Sequence, residues 1–280
     1  MIKNIAYFPF QCAQNSLPVM TAVLDSLQAA GITPVANTND ADAAVIWSVL
    51  WHGRMKNNKL IYEHYRAQGK PVIIIEVGAL HRGRTWKIAV NNITSAGYYG
   101  HTENLDWNRP KKLGISLGVP AFNRPEILIT AQHQHSLQVA DLPSIEAWIY
   151  QQIVRIQQFT DRPIRVRPHP RSKLNAKLLP SNIVFEDPNP LANTYDSFDM
   201  HFDCHAVVNY NSGPGIQAAI SGTRPIVDRT SLAYPVSVSY AELEQPYLTD
   251  RARWLLEISH TEYTVEEIRE GMWLNRLQLL

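Results

Sequence analysis

The chain alternates between short apolar runs and longer stretches with helical spacing. KNIAYFPF at 3–10 reads as a short apolar strand. Ser16, Leu17 and Pro18 can cap and open a helix whose apolar positions Val19, Val23, Leu24 and Leu27 recur at helical spacing, and Gly31 closes it. ITPVA is a second extended piece. AAVIWSVL at 43–50 is apolar almost throughout rather than alternating, which is the pattern of a strand buried on both faces. Residues 57–68 read as a helix ended by Gly69, and Lys70 and Pro71 feed VIIIEVGAL, the most strand-like segment of the chain. Strand, helix, strand with short connections predicts a parallel sheet.

Residues 88–123 are looser, rich in Gly, Asn and aromatics. A new unit begins at the strand EILIT, 126–130. SIEAWIYQQIVRIQQF at 144–159 is an amphipathic helix with Ile145, Trp148, Ile149, Ile153 and Ile156 on one face. The strands IRVR, NIVFE (182–186), HAVVNY (205–210) and RPIV (224–227) follow, with a helix from Pro214 and a final helix over 265–280. The expected architecture is two α/β domains, 1–122 and 123–262, with a C-terminal helix at 263–280 packing back on the first. Ligands of open α/β sheets bind outside the carboxyl ends of the strands. The tips to inspect are therefore 10–16, 51–54, 76–84, 132–136, 167–172 and 211–215.

Charge adds a local signal to a nearly neutral whole. The 280 residues are 45% hydrophobic and carry a net charge of +1. Residues 52–112 hold eleven Lys/Arg and four Asp/Glu, whereas 123–280 hold fourteen and eighteen. A basic region of that kind attracts phosphate-rich partners, although scattered surface cations give the same count. Cys12 and Cys204, far apart, make neither a disulfide framework nor a zinc set, so a reducing cytoplasm is expected. The segment MIKNIAYFPF lacks a signal-peptide apolar region, and no run reaches the roughly 18 apolar residues of a membrane helix. A soluble protein with no membrane partner, monomer or homodimer, is expected.

Three tips of the second domain carry candidate chemistry. After HAVVNY come Asn211, Ser212, Gly213, Pro214, Gly215, Ile216 and Gln217. The glycines permit a tight turn, Pro214 suits the first helical position, and Asn211 or Ser212 can cap. The start of the following helix favours a phosphate, or the stretch is an ordinary strand-to-helix turn. The tip RPHPRS offers forked donors at Arg167 and Arg171 and a titratable one at His169, stiffened by Pro168 and Pro170. Gln132, His133, Gln134, His135 and Ser136 form the third tip. In DMHFDCH, Asp199, His201, Asp203 and His205 share one face if extended. That suits a metal site or, more commonly, a hydrogen-bonded lead-in to the next strand.

Taken together, ILITAQHQHS, the long helix, RPIRVRPHPRS and HAVVNYNSGPGIQAAISGTRPIV resemble the donor-binding half of GT-B glycosyltransferases, nearest to the capsular-polysaccharide and sialyl- or Kdo-transferase-like group. The resemblance covers about 126–230. It implies two Rossmann-like α/β domains facing across a cleft. It also implies a nucleotide-sugar donor, a UDP-sugar favoured, with no bound cofactor and no obligatory metal. His169 and Arg171, with Arg167, would touch donor phosphates. Ser212, Gly213, Gly215 and Gln217 would hold phosphate, and Gln132 would line the same site. At 280 residues the chain is short for such an enzyme.

An acceptor hydroxyl must lose a proton as it attacks the anomeric carbon, and a carboxylate or His at a strand tip can take it. Glu76 is the leading base candidate, with His52, His81 and Asp106 as rivals; pairing with Arg82 or Arg84 is its structural alternative. The basic tract, with Arg54, Lys56, Arg82, Arg84, Trp86, Lys111 and Lys112, resembles in general character the phage enzymes that glycosylate hydroxymethylated pyrimidines. Double-stranded DNA carrying 5-hydroxymethylcytosine is therefore the expected acceptor, in a bacterial host cytoplasm if the protein is phage-encoded. A polysaccharide or glycolipid is the alternative. A non-catalytic nucleotide-sugar or nucleic-acid module is the reading of another class; an epimerase on the same plan would be longer.

Overall fold

A computed structural model describes residues 2–120, 123–190 and 202–279. In chain order the elements are β1 (Asn4–Tyr7), α1 (Leu17–Ala29), β2 (Thr33–Ala36), β3 (Ala43–Trp47), α2 (Asn58–Ala67), β4 (Val72–Val77), β5 (Trp86–Val90) and the one-turn α3 (Arg109–Lys112). They continue with β6 (Ile127–Thr130), α4 (Ile145–Ile156), β7 (Ile164–Arg167), β8 (Val184–Phe185), β9 (Ala206–Asn209), α5 (Gly213–Ser221) and β10 (Arg224–Val227). The last are α6 (Ala252–Ser259), β11 (Glu262–Tyr263), α7 (Val265–Arg269) and α8 (Met272–Leu277). Two compact units result: Met1–Arg109 with Glu257–Leu280, and Pro110–Leu256.

In the first unit the sheet order is β11-β5-β4-β3-β1-β2. β1 to β4 are mutually parallel, β5 runs antiparallel to β4, and β11 antiparallel to β5. β3 is buried at every position, as its unbroken apolar run predicts. Val19, Val23 and Leu27 of α1 pack on Ile5, Val45, Ile73 and Ile75. Trp273 and Leu274 from the end of the chain share this core. The Trp273 indole donates to Ser26 Oγ at 3.0 Å. Arg109 ties the returning segment down: its buried guanidinium donates to the carbonyls of Ser259 and Glu262 and, bidentately, to Glu267.

The second unit has a fully parallel sheet, β10-β9-β6-β7-β8. Ile127, Ile129, Val166, Val208 and Ile226 meet Ile149 and Ile153 of α4 on one face. Leu128 and Val207 meet Ala218 of α5 on the other. The chain works outward from β6 to β7 and β8, then crosses to β9 and β10 on the opposite side. This is the Rossmann order, and its reversal lies between β6 and β9. The first sheet reverses between β1 and β3.

Three local expectations differ from the structure. β5 falls partly in the stretch expected to be loose; five residues between turns give a weak periodic signal, and pairing with β4 buries Ile88 and Ala89. The final helix is two helices, because Gly271 adopts φ +75° and breaks the ladder. Ser16 does not cap α1: it is already in the right-handed helical region, and its hydroxyl donates back to Ala13 O at 2.7 Å.

Candidate active site

Amides and hydroxyls join the strand tips at the reversal of the second sheet. Gln132 follows β6 and Asn211 follows β9; both are buried. Gln132 Nε2 donates to Asn211 Oδ1 at 3.0 Å, and the Asn211 amide N–H donates to Gln132 Oε1 at 2.8 Å. Asn211 Nδ2 donates onward to Thr230 Oγ1 and Gln138 O. Deeper, Asn209 Nδ2 donates to Thr130 Oγ1 and Ser212 Oγ, both at 3.0 Å, and its Oδ1 accepts the Ser212 N–H. Ser212 thus turns its hydroxyl toward Asn209. Ser212, the N-cap of α5, makes no side-chain cap to the helix, which opens at Gly213 beside this network.

Gly215 has a packing reason. A Cβ there would stand 2.7 Å from Val227 Cγ1 and 3.5 Å from Asn209 Oδ1, so only glycine lets α5 sit this close to β9 and β10. Gln217 lies two residues further along α5, half-buried.

The tip of β7 joins from the other side of β6. His169 meets the buried His133 edge-to-face, ring centroids 5.2 Å apart, and His133 stands 5.6 Å from His135. The His169-to-Ser172 turn closes through Ser172 N to His169 O at 3.0 Å, and His169 Nδ1 accepts the Arg171 N–H. Arg171 itself is exposed. Arg167 is engaged elsewhere: its guanidinium pairs with Glu186 and lies over the Phe202 ring. Strand alternation explains the difference. Ile164 and Val166 face the core under α4, so Arg165 and Arg167 share the opposite face.

In the first unit, Glu76 sits at the end of β4, half-buried. Its Oε2 accepts from Ser48 Oγ at 2.7 Å and from Val49 N at 3.4 Å, and its Oε1 from Val77 N at 3.0 Å. Ser48 follows β3 with φ +64°, a left-handed conformation costly for a non-glycine residue, and its Oγ also accepts the Leu50 N–H. Glu76 is therefore held by Ser48 and backbone. The neighbouring 78–85 hairpin carries His81, Arg82 and Arg84, and Glu262 clasps it. The Glu262 carboxylate accepts from Ala79 N at 2.7 Å, Leu80 N at 3.0 Å and Thr85 Oγ1 at 2.7 Å.

His52 is exposed, just ahead of the turn that carries Arg54. Asp106 caps its own turn by accepting the Asn108 N–H and lies beside His260. Trp86 is the first residue of β5, paired with Val77 and Tyr263 and packed on the core. Arg54, Lys56 and Arg84 are exposed in the first unit; Lys111 and Lys112 are exposed in the second.

The basic tract does not make a basic unit. With its C-terminal segment, the first unit holds twelve Lys/Arg and twelve Asp/Glu, because Glu257, Glu262, Glu266, Glu267 and Glu270 return to it. One short stretch is basic in sequence, although Glu76 accepts from its Ser48 and Val49 and Glu63 pairs with its Lys59. From Ser48 to Tyr62 there are three Lys/Arg and no acidic residue.

Sequence reasoning missed Ser48, Lys87, Glu262 and Asn209 as parts of these sites. Of the possible metal ligands, Asp199 and His201 lie outside the described residues, and no group of three ligands that could hold a metal occurs among the described ones. His205 Nε2 donates to Leu243 O at 2.8 Å, and the ring neighbours Arg224.

No family model and no curated protein matches the sequence. Among solved structures, the chain is similar to the β-Kdo 2,4 transferase of Thermosulfurimonas dismutans KpsC, with a TM-score of 0.52 and 11% identity over 98% of both chains. It is equally similar to the β-Kdo 2,7 transferase of the same KpsC, with a TM-score of 0.52 and 11% identity over 98% of this chain and 99% of that one. At such identity the likeness shows the fold: two Rossmann-like units of the GT-B kind.

Proposed function

We propose that the protein is a glycosyltransferase that moves a sugar from a nucleotide-activated donor to an acceptor hydroxyl. The observation that carries this reading is the amide network between β6 and β9, beside the start of α5, where Ser212 makes no side-chain cap. It lies at the reversal point of a parallel sheet, where nucleotides bind in this architecture. A helix N-terminus offers amide donors and positive potential to a phosphate. His169 reaches the same tips through His133.

Glu76 serves as base in this reading. It takes the acceptor proton as the acceptor oxygen bonds to the anomeric carbon. The bond from that carbon to the donor phosphate breaks, and the electron pair leaves on the phosphate oxygen. UDP-sugars are the favoured donor class, and no metal enters the proposal. Titration calorimetry with UDP-, GDP-, CMP- and ADP-sugars tests the donor half. Binding of one class, lost in Gln132→Ala, supports it; no binding of any class sinks it.

For the acceptor, the exposed cations Arg54 and Lys56 favour a polyanion, with 5-hydroxymethylcytosine in double-stranded DNA as the specific candidate. Phe10, 83% exposed, lies beside the turn that carries Arg54. Mass analysis of nucleosides from treated DNA decides it. An added sugar mass is expected; its absence with every donor, alongside transfer to a glycan, would assign the acceptor to the polysaccharide class.

A further inference from the structure

The chain leaves β3 through a turn that costs backbone energy. Ser48, the residue after Trp47, stands at φ +64° and is 4% exposed. Apart from Gln278 past α8, the other described non-glycine residues with positive φ are asparagines: Asn37, Asn91, Asn104 and Asn123. Asparagine and glycine tolerate the left-handed region, and serine tolerates it less well.

Four bonds hold this turn. The Ser48 N–H donates to Ile75 O of β4 at 2.7 Å. The carbonyl before it, Trp47 O, accepts from Nδ2 of the fully buried Asn58 at 2.6 Å, and the same Nδ2 reaches Gln11 O at 3.1 Å, tying the tips of β1 and β3 together. The Ser48 hydroxyl accepts the Leu50 N–H at 3.1 Å and donates to Glu76 Oε2 at 2.7 Å. Asn58 Oδ1 is buried and meets no donor among the described residues, a second local cost at the same tip. Strain persists where the surroundings over-determine it, and it clusters at functional sites.

We propose that Ser48 is a positioning residue for Glu76: a strained turn whose hydroxyl fixes the orientation of the carboxylate at the carboxyl ends of β3 and β4. This rests on the transfer reading above and deepens it by assigning the group that aims its base.

The geometry separates the hydroxyl from the turn. Glycine would make the same turn without strain, but it has no hydroxyl to accept from Leu50 N and donate to Glu76 at once. Glu76 has three donors: Ser48 Oγ and Val49 N on Oε2, the latter at 3.4 Å, and Val77 N on Oε1 at 3.0 Å. The hydroxyl makes the shortest of the three bonds, and a hydroxyl on a carboxylate is the charge-assisted, stronger kind. A base takes a proton only from a group within hydrogen-bond reach, so a fixed carboxylate raises the fraction of encounters that react.

The test compares Ser48→Ala with Ser48→Gly in the whole protein. Both remove the hydroxyl, and only glycine relieves the backbone. Chemical denaturation should therefore place the glycine variant above the alanine variant. The turnover number should fall about tenfold in both alike, with the KM for the donor unchanged. A side chain that served only the fold would make activity follow stability, with glycine the better of the two. A kcat that recovers in Ser48→Gly, or that is unmoved in both, overturns the proposal. A double-mutant cycle on the denaturation midpoint, Ser48→Ala against Glu76→Ala, reads the bond without turnover: coupling is expected, and additivity overturns the proposal. Coupling together with no transfer from any donor to any acceptor would reject the transfer reading and leave the hold of Ser48 on Glu76 standing.

Discussion

The two sheets share a plan and differ at their tips. Each reverses its strand order once; the second gathers polar side chains at the reversal, the first in a row across β4, β5 and β11 away from it. In the second unit those groups are neutral: Thr130, Gln132, Asn209, Asn211 and Ser212 satisfy one another. In the first they are charged: Glu76, Lys87 and Glu262 in one row, with Arg54 and Lys56 exposed. Neutral amides present donors and acceptors without repelling a diphosphate. A carboxylate near a cation can move a proton. The two units thus differ in kind, neutral amide donors in one and a carboxylate–cation row in the other.

Glu76→Gln gives the largest expected effect. It should lower kcat by about 10²–10⁴ and leave donor affinity from calorimetry unchanged. Equal loss of donor affinity would break the contrast.

Gly78→Ala tests the clasp behind Glu76. The added methyl meets backbone and the Glu262 carboxylate at 2.3–2.4 Å. Overpacking of this kind costs about 1–3 kcal/mol, and chemical denaturation should report it, with proteolysis concentrated in the first unit.

Gln132→Ala sharpens the other side. It leaves the buried Asn211 without two of its bonds, at about 1–3 kcal/mol. Donor binding by calorimetry should fall.

The smallest effect is on pH. In the second unit, charges outside the tips serve the scaffold. The side-chain hydrogen bond from Arg162, with help from Thr160, holds Glu244 down at about 2 against an ordinary 4.5. A depressed carboxylate stabilises the fold above its ordinary range, and that contribution is lost as pH falls through the folded value. The denaturation midpoint of the wild type should therefore decline between pH 4.5 and about 2, and less so in Glu244→Gln. The pair is partly exposed, so the difference is modest.

Much of this was legible in the chain. Long apolar runs became β3, β4 and β6. Tip residues Gln132, His169 and Ser212 could be picked out because a parallel strand followed by Gly, Pro or His leaves few local alternatives. Arg167 was less legible. Its place beside the prolines suggests an anion, but strand alternation turns it to Glu186.

By itself, the sequence determined where strands and helices run, because hydrophobic period and turn residues act over a few positions. It also determined which loops follow the strands, and so which residues are available for chemistry. Only the tertiary structure decided which of those residues meet. Lys87 stands between Glu76 and Glu262 because β11 returns from the far end of the chain to pair with β5. The charge of the first unit is balanced by that same return. Such pairings depend on contacts more than a hundred residues apart, which no local pattern encodes.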